Sequence, residues 1–219
     1  GEDDAFYYLE SDGKRFPIEK RICRDVVNPN KLNSGVQKES ILEKLIFPYI
    51  VKDGKASVIS QDDMCHHYPH TLKYLKEKKS VLLSRDKGNT SSYPQWYAFG
   101  RTQSLVLPKY KLFFPKFANG PIKCLISDDS KLMLYNGMAF VNSDLRKLQI
   151  LKTIIESDMF WHYIQKNGKP YASGYYSLSG VDIKHFGIPF LTKEAEDELL
   201  SITKRSDIEK KLRRYYDIE

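Results

Sequence analysis

Residues 142–168, NSDLRKLQILKTIIESDMFWHYIQKNG, decide the helical half of the fold. Asn142, Ser143 and Asp144 offer helix N-caps, because short polar side chains accept the backbone N–H groups that a first turn leaves without partners. Leu148, Leu151, Ile155 and Met159 then recur at three- and four-residue spacing, with Ile154 beside them, until Asn167-Gly168 ends the run. The pattern predicts one helix with a buried face. Upstream, residues 96–138 alternate short apolar runs with Gly, Pro and Asn, among them Lys111-Leu112-Phe113-Phe114-Pro115, Cys124-Leu125-Ile126 and Lys131-Leu132-Met133-Leu134-Tyr135. These read as several strands.

Further out, Phe6-Tyr7-Tyr8-Leu9 followed by Ser11-Asp12-Gly13 reads as strand and turn. Glu39–Leu45 carries a turn or two of helix, and Leu45–Val51 reads as a strand running into the turn Lys52-Asp53-Gly54, with Pro48 placing it at a sheet edge. Gln61-Asp62-Asp63 opens a helical segment in which Pro69 suits a first turn; Leu72, Leu75, Leu82 and Leu83 fall near one face, and the helix stops near Lys87-Gly88. Tyr171–Ser179 reads as loop and strand. Thr192 caps a charged C-terminal helix with Leu199, Ile202, Ile208, Leu212 and Tyr215 available for packing. Strands and helices do not alternate regularly, so the expected class is α+β, with small twisted sheets, irregular loops and packed helices.

The 219 residues are 41% hydrophobic and 29% charged, enough for one sizeable core or two small ones. Lysine and arginine outnumber aspartate and glutamate 35 to 28, and the net charge of +7 favours a polyanionic partner. The same charge also suits a merely soluble basic protein. No apolar run reaches bilayer-spanning length, and Gly1-Glu2-Asp3-Asp4 has no signal-peptide character. Cys23, Cys65 and Cys124 are odd in number and scattered, which fits a reducing cytoplasm better than a disulfide framework. The first residue is not methionine, so the expectation is a fragment or processed form of a longer chain.

Catalytic signatures are weak. Neither a dinucleotide-type Gly-rich turn nor a P-loop is present. Asn28-Pro29-Asn30-Lys31 lacks the second proline and the aromatic of the Asn-Pro-Pro-Tyr/Phe motif of amino-methyltransferases, and reads as a turn. Cys65-His66-His67 with His70 matches no standard zinc spacing. Asp62-Asp63 and Asp128-Asp129 lack the Glu-x-Lys that accompanies a nuclease magnesium site, and suit caps and turns.

Binding chemistry is better represented. Leu82–Gly88 and Tyr93–Leu105 mix cations, aromatics, amides and turn glycines. Arg101 has the fork that bonds guanine bidentately, Gln103 the amide that pairs with adenine, and Trp96, Tyr97 and Ser104 adjoin them. Arg85, Lys87, Lys109, Lys116 and Lys123 bracket this stretch as candidate phosphate contacts. A second patch holds Lys166-Asn167-Gly168-Lys169 with Tyr171, Ser173, Gly174, Tyr175 and Tyr176. The alternative stays open that Trp96, Tyr97 and Phe99 are core residues and the lysines only solvated.

The order of motifs is more telling than any one of them. Tyr68–Leu75, Leu82–Gly88 and Trp96–Arg101 are followed by the Lys-Leu-Phe-Phe-Pro run at 111–115, by Phe160-Trp161-His162-Tyr163, by Gly174–Ser179 and by Ile188-Pro189. This succession resembles the TaqI-like C-terminal specificity domain of adenine-specific DNA methyltransferases, over most of the chain up to about Phe190. Phe16–Lys20 before Cys23-Arg24-Asp25 resembles the lead-in from the catalytic half.

The resemblance implies a target-recognition fold like that of type I restriction specificity subunits, spanning 1–190 with a helical extension at 191–219. It implies double-stranded DNA as partner, together with a catalytic methyltransferase domain of the same polypeptide. S-adenosylmethionine would belong to that catalytic half, with no cofactor, catalytic residue or metal in this fragment, which would not methylate alone. Base-reading residues vary with the target in this family, so Arg101, Gln103 and the Tyr175 region are assigned by position. A prokaryotic, DNA-associated cytoplasmic location follows. A specificity module of a fused restriction-methylation enzyme, a non-catalytic protein-interaction module and an autonomous nuclease are the alternatives.

Overall fold

The computed structural model describes residues 1–34, 38–102, 104–106 and 108–218. The fold is α+β, and the chain forms two compact units through which it passes twice: Gly1–Arg24 with Lys44–Leu107, and Asp25–Glu43 with Pro108–Glu219. No helix among the described residues is long and apolar enough to cross a membrane.

In the first unit, β1 (Phe6–Ser11) and β2 (Lys14–Glu19) form an antiparallel hairpin, with Phe6 opposite Glu19 and Ser11 opposite Lys14. The Asp12-Gly13 turn has φ of 51° and 71°, the left-handed pair that matches the right-handed twist of the flanking strands. β3 (Cys23–Val27) carries the chain into the second unit and β4 (Leu42–Ile46) brings it back, after a 3-10 turn at Lys38–Ile41 where a helical turn or two was expected.

The strand expected at 45–51 is two strands. β4 stops before Phe47-Pro48, because proline has no N–H for a ladder; β5 (Tyr49–Lys52) starts afresh and pairs with β6 (Lys55–Val58) through Asp53-Gly54, φ 50° and 71°. α1 (Gln61–His67) is capped by Ser60, whose Oγ accepts the Asp63 N–H at 3.1 Å. α2 (Pro69–Glu77) begins with proline at its first turn and has no cap of its own. Glu19 supplies one: its buried carboxylate accepts the N–H groups of His70 (2.9 Å) and Thr71 (2.8 Å) and the Thr71 hydroxyl. A charge-assisted contact to the positive end of the helix ties β2 to α2.

Leu72 and Leu75 are buried as expected, in a core with Phe16, Ile18, Ile22, Ile59, Met64 and Tyr97. The expected continuous face fails beyond them. The chain breaks at Lys78, α3 (Lys79–Leu83) restarts the helical phase, and Leu83 is exposed while Leu82 is half-buried.

The second unit is built around β7 (Tyr110–Pro115), which has β8 (Phe117–Ala118) just beyond it and β9 (Leu125–Ser127) pairing along one side. β10 (Met133–Leu134) lies parallel to the end of β3, and β11 (Gly137–Asn142) pairs antiparallel with β7, Gly137 opposite Pro115 and Asn142 opposite Tyr110. Alternation along β7 sends Leu112 and Phe114 to one core and Phe113 to another, with Val27, Leu32, Ile41 and Leu132. Lys111 is buried as well. Its ammonium donates to the carbonyls of Asp129 (2.6 Å) and Pro108 (3.0 Å), and burial holds it below the ordinary lysine range.

The helix expected over 142–168 is two. α4 (Leu145–Ile155) is capped by Asp144, and α5 (Asp158–Asn167) by Ser157, whose Oγ accepts the Phe160 N–H at 3.1 Å. Between them, Glu156 turns out to accept the Cys124 N–H at 2.7 Å. Leu148, Ile155, Phe160, Trp161 and Ile164 cover Leu112 and Phe114. β12 (Tyr176–Ser177) precedes α6 (Gly180–Ile183), and the C-terminal helix is again two, α7 (Lys193–Ser201) capped by Thr192 and α8 (Arg205–Tyr215). Ile202 is extended at φ −74°, ψ 126°, and separates them. Leu199 and Leu212 share a core with Ile150 and Ile154.

Candidate nucleic-acid interface

The sequence-predicted contact residues fall into two groups, one in each unit. In the first unit the segment after α3 is a loop whose aromatics anchor it. Tyr97 is 2% exposed, its hydroxyl donates to the Ile59 carbonyl at 2.7 Å, and burial pushes its pKa up to about 12. Tyr97 is therefore a core residue, with no ring face open to a base. Phe99 donates its N–H to the Tyr49 hydroxyl at 2.6 Å and packs against Phe47 and Tyr49 at 6.2 and 5.1 Å between ring centroids. Trp96 stands edge-on to Tyr97 at 5.0 Å and donates its indole N–H to Gln61 at 3.1 Å.

Arg85 is also drawn inward, donating to the carbonyls of Leu82 (2.7 Å) and Trp96 (2.9 Å). These bonds hold the loop against the preceding helix. Asp86, Lys87 and Gly88 have φ of 48°, 59° and 84°, a tight left-handed turn fixed by the bond from the Tyr93 hydroxyl to Asp86. Lys87, Arg101 and Ser104 are exposed, and Arg101 has no hydrogen bond or ion pair among the described residues. Gln103 lies outside the described residues.

In the second unit, backbone pairing draws sequence-distant residues together. Tyr176 pairs with Ala118 and Ser177 with Phe117; the Leu178 N–H donates to the Lys116 carbonyl (2.8 Å) and the Ser177 N–H to the Lys169 carbonyl (2.9 Å). The tip is closed by the Tyr171 N–H donating to the Tyr175 carbonyl at 2.7 Å, with Ser173 and Gly174 left-handed at φ 61° and 76°. Lys116, Lys169, Tyr175 and Tyr176 thus meet at one small sheet.

Its aromatics are partly displayed. Tyr171 is 60% exposed and lies 4.7 Å from the Phe117 ring, Tyr175 is 38% exposed, and the Lys116 ammonium sits over Phe117 at 5.5 Å. Tyr176 is half-buried, edge-on to Trp161 at 5.7 Å. Lys109 stands apart. It precedes β7 as Lys116 follows it, which separates them by roughly 20 Å of extended chain. Phe117 had no place in the sequence-based set, although its position beside Lys116, just before Asn119-Gly120, was a legible sign of an aromatic next to a cation at a turn.

The residues weighed for other chemistry have local roles. Asp63 bonds the Ser60 hydroxyl at 2.7 Å, Asp129 accepts the Lys131 N–H at 2.7 Å, and Asn28 accepts the Asn30 N–H at 3.2 Å. Asn30 in turn accepts the Lys116 N–H at 2.8 Å. His66 Nδ1 lies 2.8 Å from the Asp62 carbonyl, and no three His, Cys, Asp or Glu side chains among the described residues converge as a metal site.

No family model matches the chain. The chain is 26% identical over 114 residues to the type II restriction enzyme and methyltransferase RM.Eco57I of Escherichia coli, an alignment covering 47% of this chain. That stretch is 11% of the length of the relative.

Proposed function

We propose that this chain is a DNA target-recognition segment of a restriction-modification enzyme, akin to the TaqI-like specificity domain of adenine-specific DNA methyltransferases. The observation that carries the reading is the sheet that brings Lys116, Lys169, Tyr171 and Tyr175 to one surface, cations beside displayed aromatics on a backbone fixed by hydrogen bonds. Lysines there neutralise phosphates, and tyrosines offer rigid apolar faces with a polar tip. The net charge of +7 and the likeness to a stretch of RM.Eco57I point the same way.

In this reading Arg101, with Gln103 and Ser104, reads base edges in the major groove. Lys87, Lys109, Lys116 and Lys169 set register on the backbone, and Arg85 and Trp96 hold the reading loop in place. A catalytic methyltransferase domain of the same polypeptide, charged with S-adenosylmethionine, would flip and methylate the adenine. The relative's name joins restriction to methylation, which favours a fused restriction-methylation parent over a stand-alone methylase.

The test is duplex-DNA affinity of the chain measured across a salt series. A log-log slope of several units is expected, made shallower by about one in Lys109→Ala with preference among sequences unchanged. A flat salt dependence would leave the protein-interaction reading in its place.

A further inference from the structure

Lys87 and Arg101, exposed cations of the first-unit loop, each directly follow a residue of one three-way contact. Asp86 accepts a hydrogen bond from the Tyr93 hydroxyl, and that hydroxyl fills the space a side chain on Gly100 would take. A Cβ at Gly100 would collide with the hydroxyl and come within 2.9 Å of the Asp86 carboxylate. Glycine is required at 100 for this close approach.

Each arm of the contact is rooted. Tyr93 donates its N–H to the Thr90 carbonyl at 3.1 Å, and Thr90 is buried. On the Asp86 side, the Gly88 N–H donates to the Ser84 carbonyl (3.3 Å) and the Asn89 N–H to the Asp86 carbonyl (3.1 Å), closing the turn that contains Lys87. On the Gly100 side, Ala98 is buried and the Phe99 N–H donates to the Tyr49 hydroxyl at 2.6 Å. Past Gly100 the chain turns outward: Arg101 and Thr102 are exposed, and the next buried residue among those described is Leu105. Asp86 and Lys87 both lie in the left-handed region, at φ 48°, ψ 40° and φ 59°, ψ 31°, where residues with a Cβ are disfavoured. Such residues persist where their surroundings over-determine them, and the Tyr93 bond is the local constraint here.

We infer that Asp86, Tyr93 and Gly100 form a latch that fixes the spacing between Lys87 and Arg101, and with it the register of a phosphate contact against a base-reading group. The inference rests on the proposed DNA-binding reading and adds to it positioning residues to which that reading gives no role. Phosphate contacts set where the protein sits on the duplex, and a bidentate base contact tolerates little displacement. Asp86 and Tyr93 touch no base; they act through Lys87 and Arg101.

Tyr93→Phe removes the latch hydroxyl and keeps the ring, and Gly100→Ala places a methyl group where that hydroxyl lies. In selection of a randomised duplex library by the full chain, both variants should relax choice at the base pair that Arg101→Ala relaxes, cutting discrimination there by about tenfold. Neither removes a cation, so the salt slope should stay that of the wild type. Asp86→Asn keeps an acceptor for the hydroxyl and should keep the wild-type choice. Wild-type choice in both Tyr93→Phe and Gly100→Ala, while Arg101→Ala still relaxes it, would overturn this inference and spare the DNA-binding reading. So would an affinity loss equal at all sequences that tracks a lowered melting temperature, the mark of a merely structural turn. No enriched motif from the wild type would overturn the reading beneath and the inference with it.

Discussion

The loop of residues 85–104 and the hairpin of residues 169–177 share a composition of cations, aromatics and turn residues, and the structure uses them in opposite ways. In the loop, Tyr97 is buried, Arg85 bonds two carbonyls and Trp96 bonds Gln61, so most of the conspicuous residues fix the backbone and leave Lys87, Arg101 and Ser104 outside. In the hairpin, backbone hydrogen bonds do the fixing, and Tyr171 and Tyr175 are displayed beside Lys169 and Lys116. Aromatic and cationic content therefore marks a candidate interface only after the anchoring residues are subtracted. The loop holds its displayed residues on a side-chain scaffold; the hairpin holds its own on a backbone scaffold.

The largest effect should separate the two tyrosine classes. Tyr97→Ala is expected to cost about 3–5 kcal/mol in stability by denaturant titration, and Tyr171→Ala no more than about 1 kcal/mol while weakening DNA retention. Equal losses of stability would erase the contrast. Lysines divide the same way: Lys111→Ala should cost roughly 2–4 kcal/mol through the unpaired carbonyls and the void it leaves. Lys116→Ala should leave stability within about 0.5 kcal/mol and make the salt slope of DNA binding shallower by about one.

Among the arginines, Arg101→Ala should lose about 1–3 kcal/mol of binding with relaxed choice at one base pair. Arg85→Ala should instead lower the melting temperature of the first unit and leave base preference intact. A relaxed preference in Arg85→Ala would reverse their roles.

The smallest effect is a pH dependence in Lys111. Its folded-state pKa is lowered by burial relative to about 10.4 in the unfolded chain, so the buried charge opposes folding fully below the folded value and ceases to oppose it above the unfolded one. The stability of wild type relative to Lys111→Met should rise as the pH climbs toward about 10.4. A constant difference up to about pH 10.4 would contradict the burial of a charged ammonium.

The α+β class was legible because the apolar stripe of 142–168 has helical spacing and the run at 111–115, bounded by Lys111 and Pro115, is short and aromatic as strands are. The helix breaks were less so. Ser157-Asp158 is itself a cap signal, but it is overridden to the eye by Ile154, Ile155 and Met159 continuing the stripe, and the partner that Glu156 takes at the break, the Cys124 N–H, lies far off in sequence. Pro48 was visible and read as an edge marker, whereas it ends one strand and starts another. The cap that Glu19 places on α2 joins residues about fifty positions apart, which no local pattern reveals. At the candidate interface the residue types were legible and their orientation was not: nothing local distinguishes Tyr97 from Tyr171, because burial is decided by what packs above each ring.

The central claim is base-specific recognition of duplex DNA, and the most direct measurement is selection of a randomised duplex library on the purified chain at moderate salt, followed by sequencing of the retained fraction. The account predicts enrichment of one short motif, which Arg101→Ala relaxes at a single position. Retention without enrichment, or none at all, would contradict it.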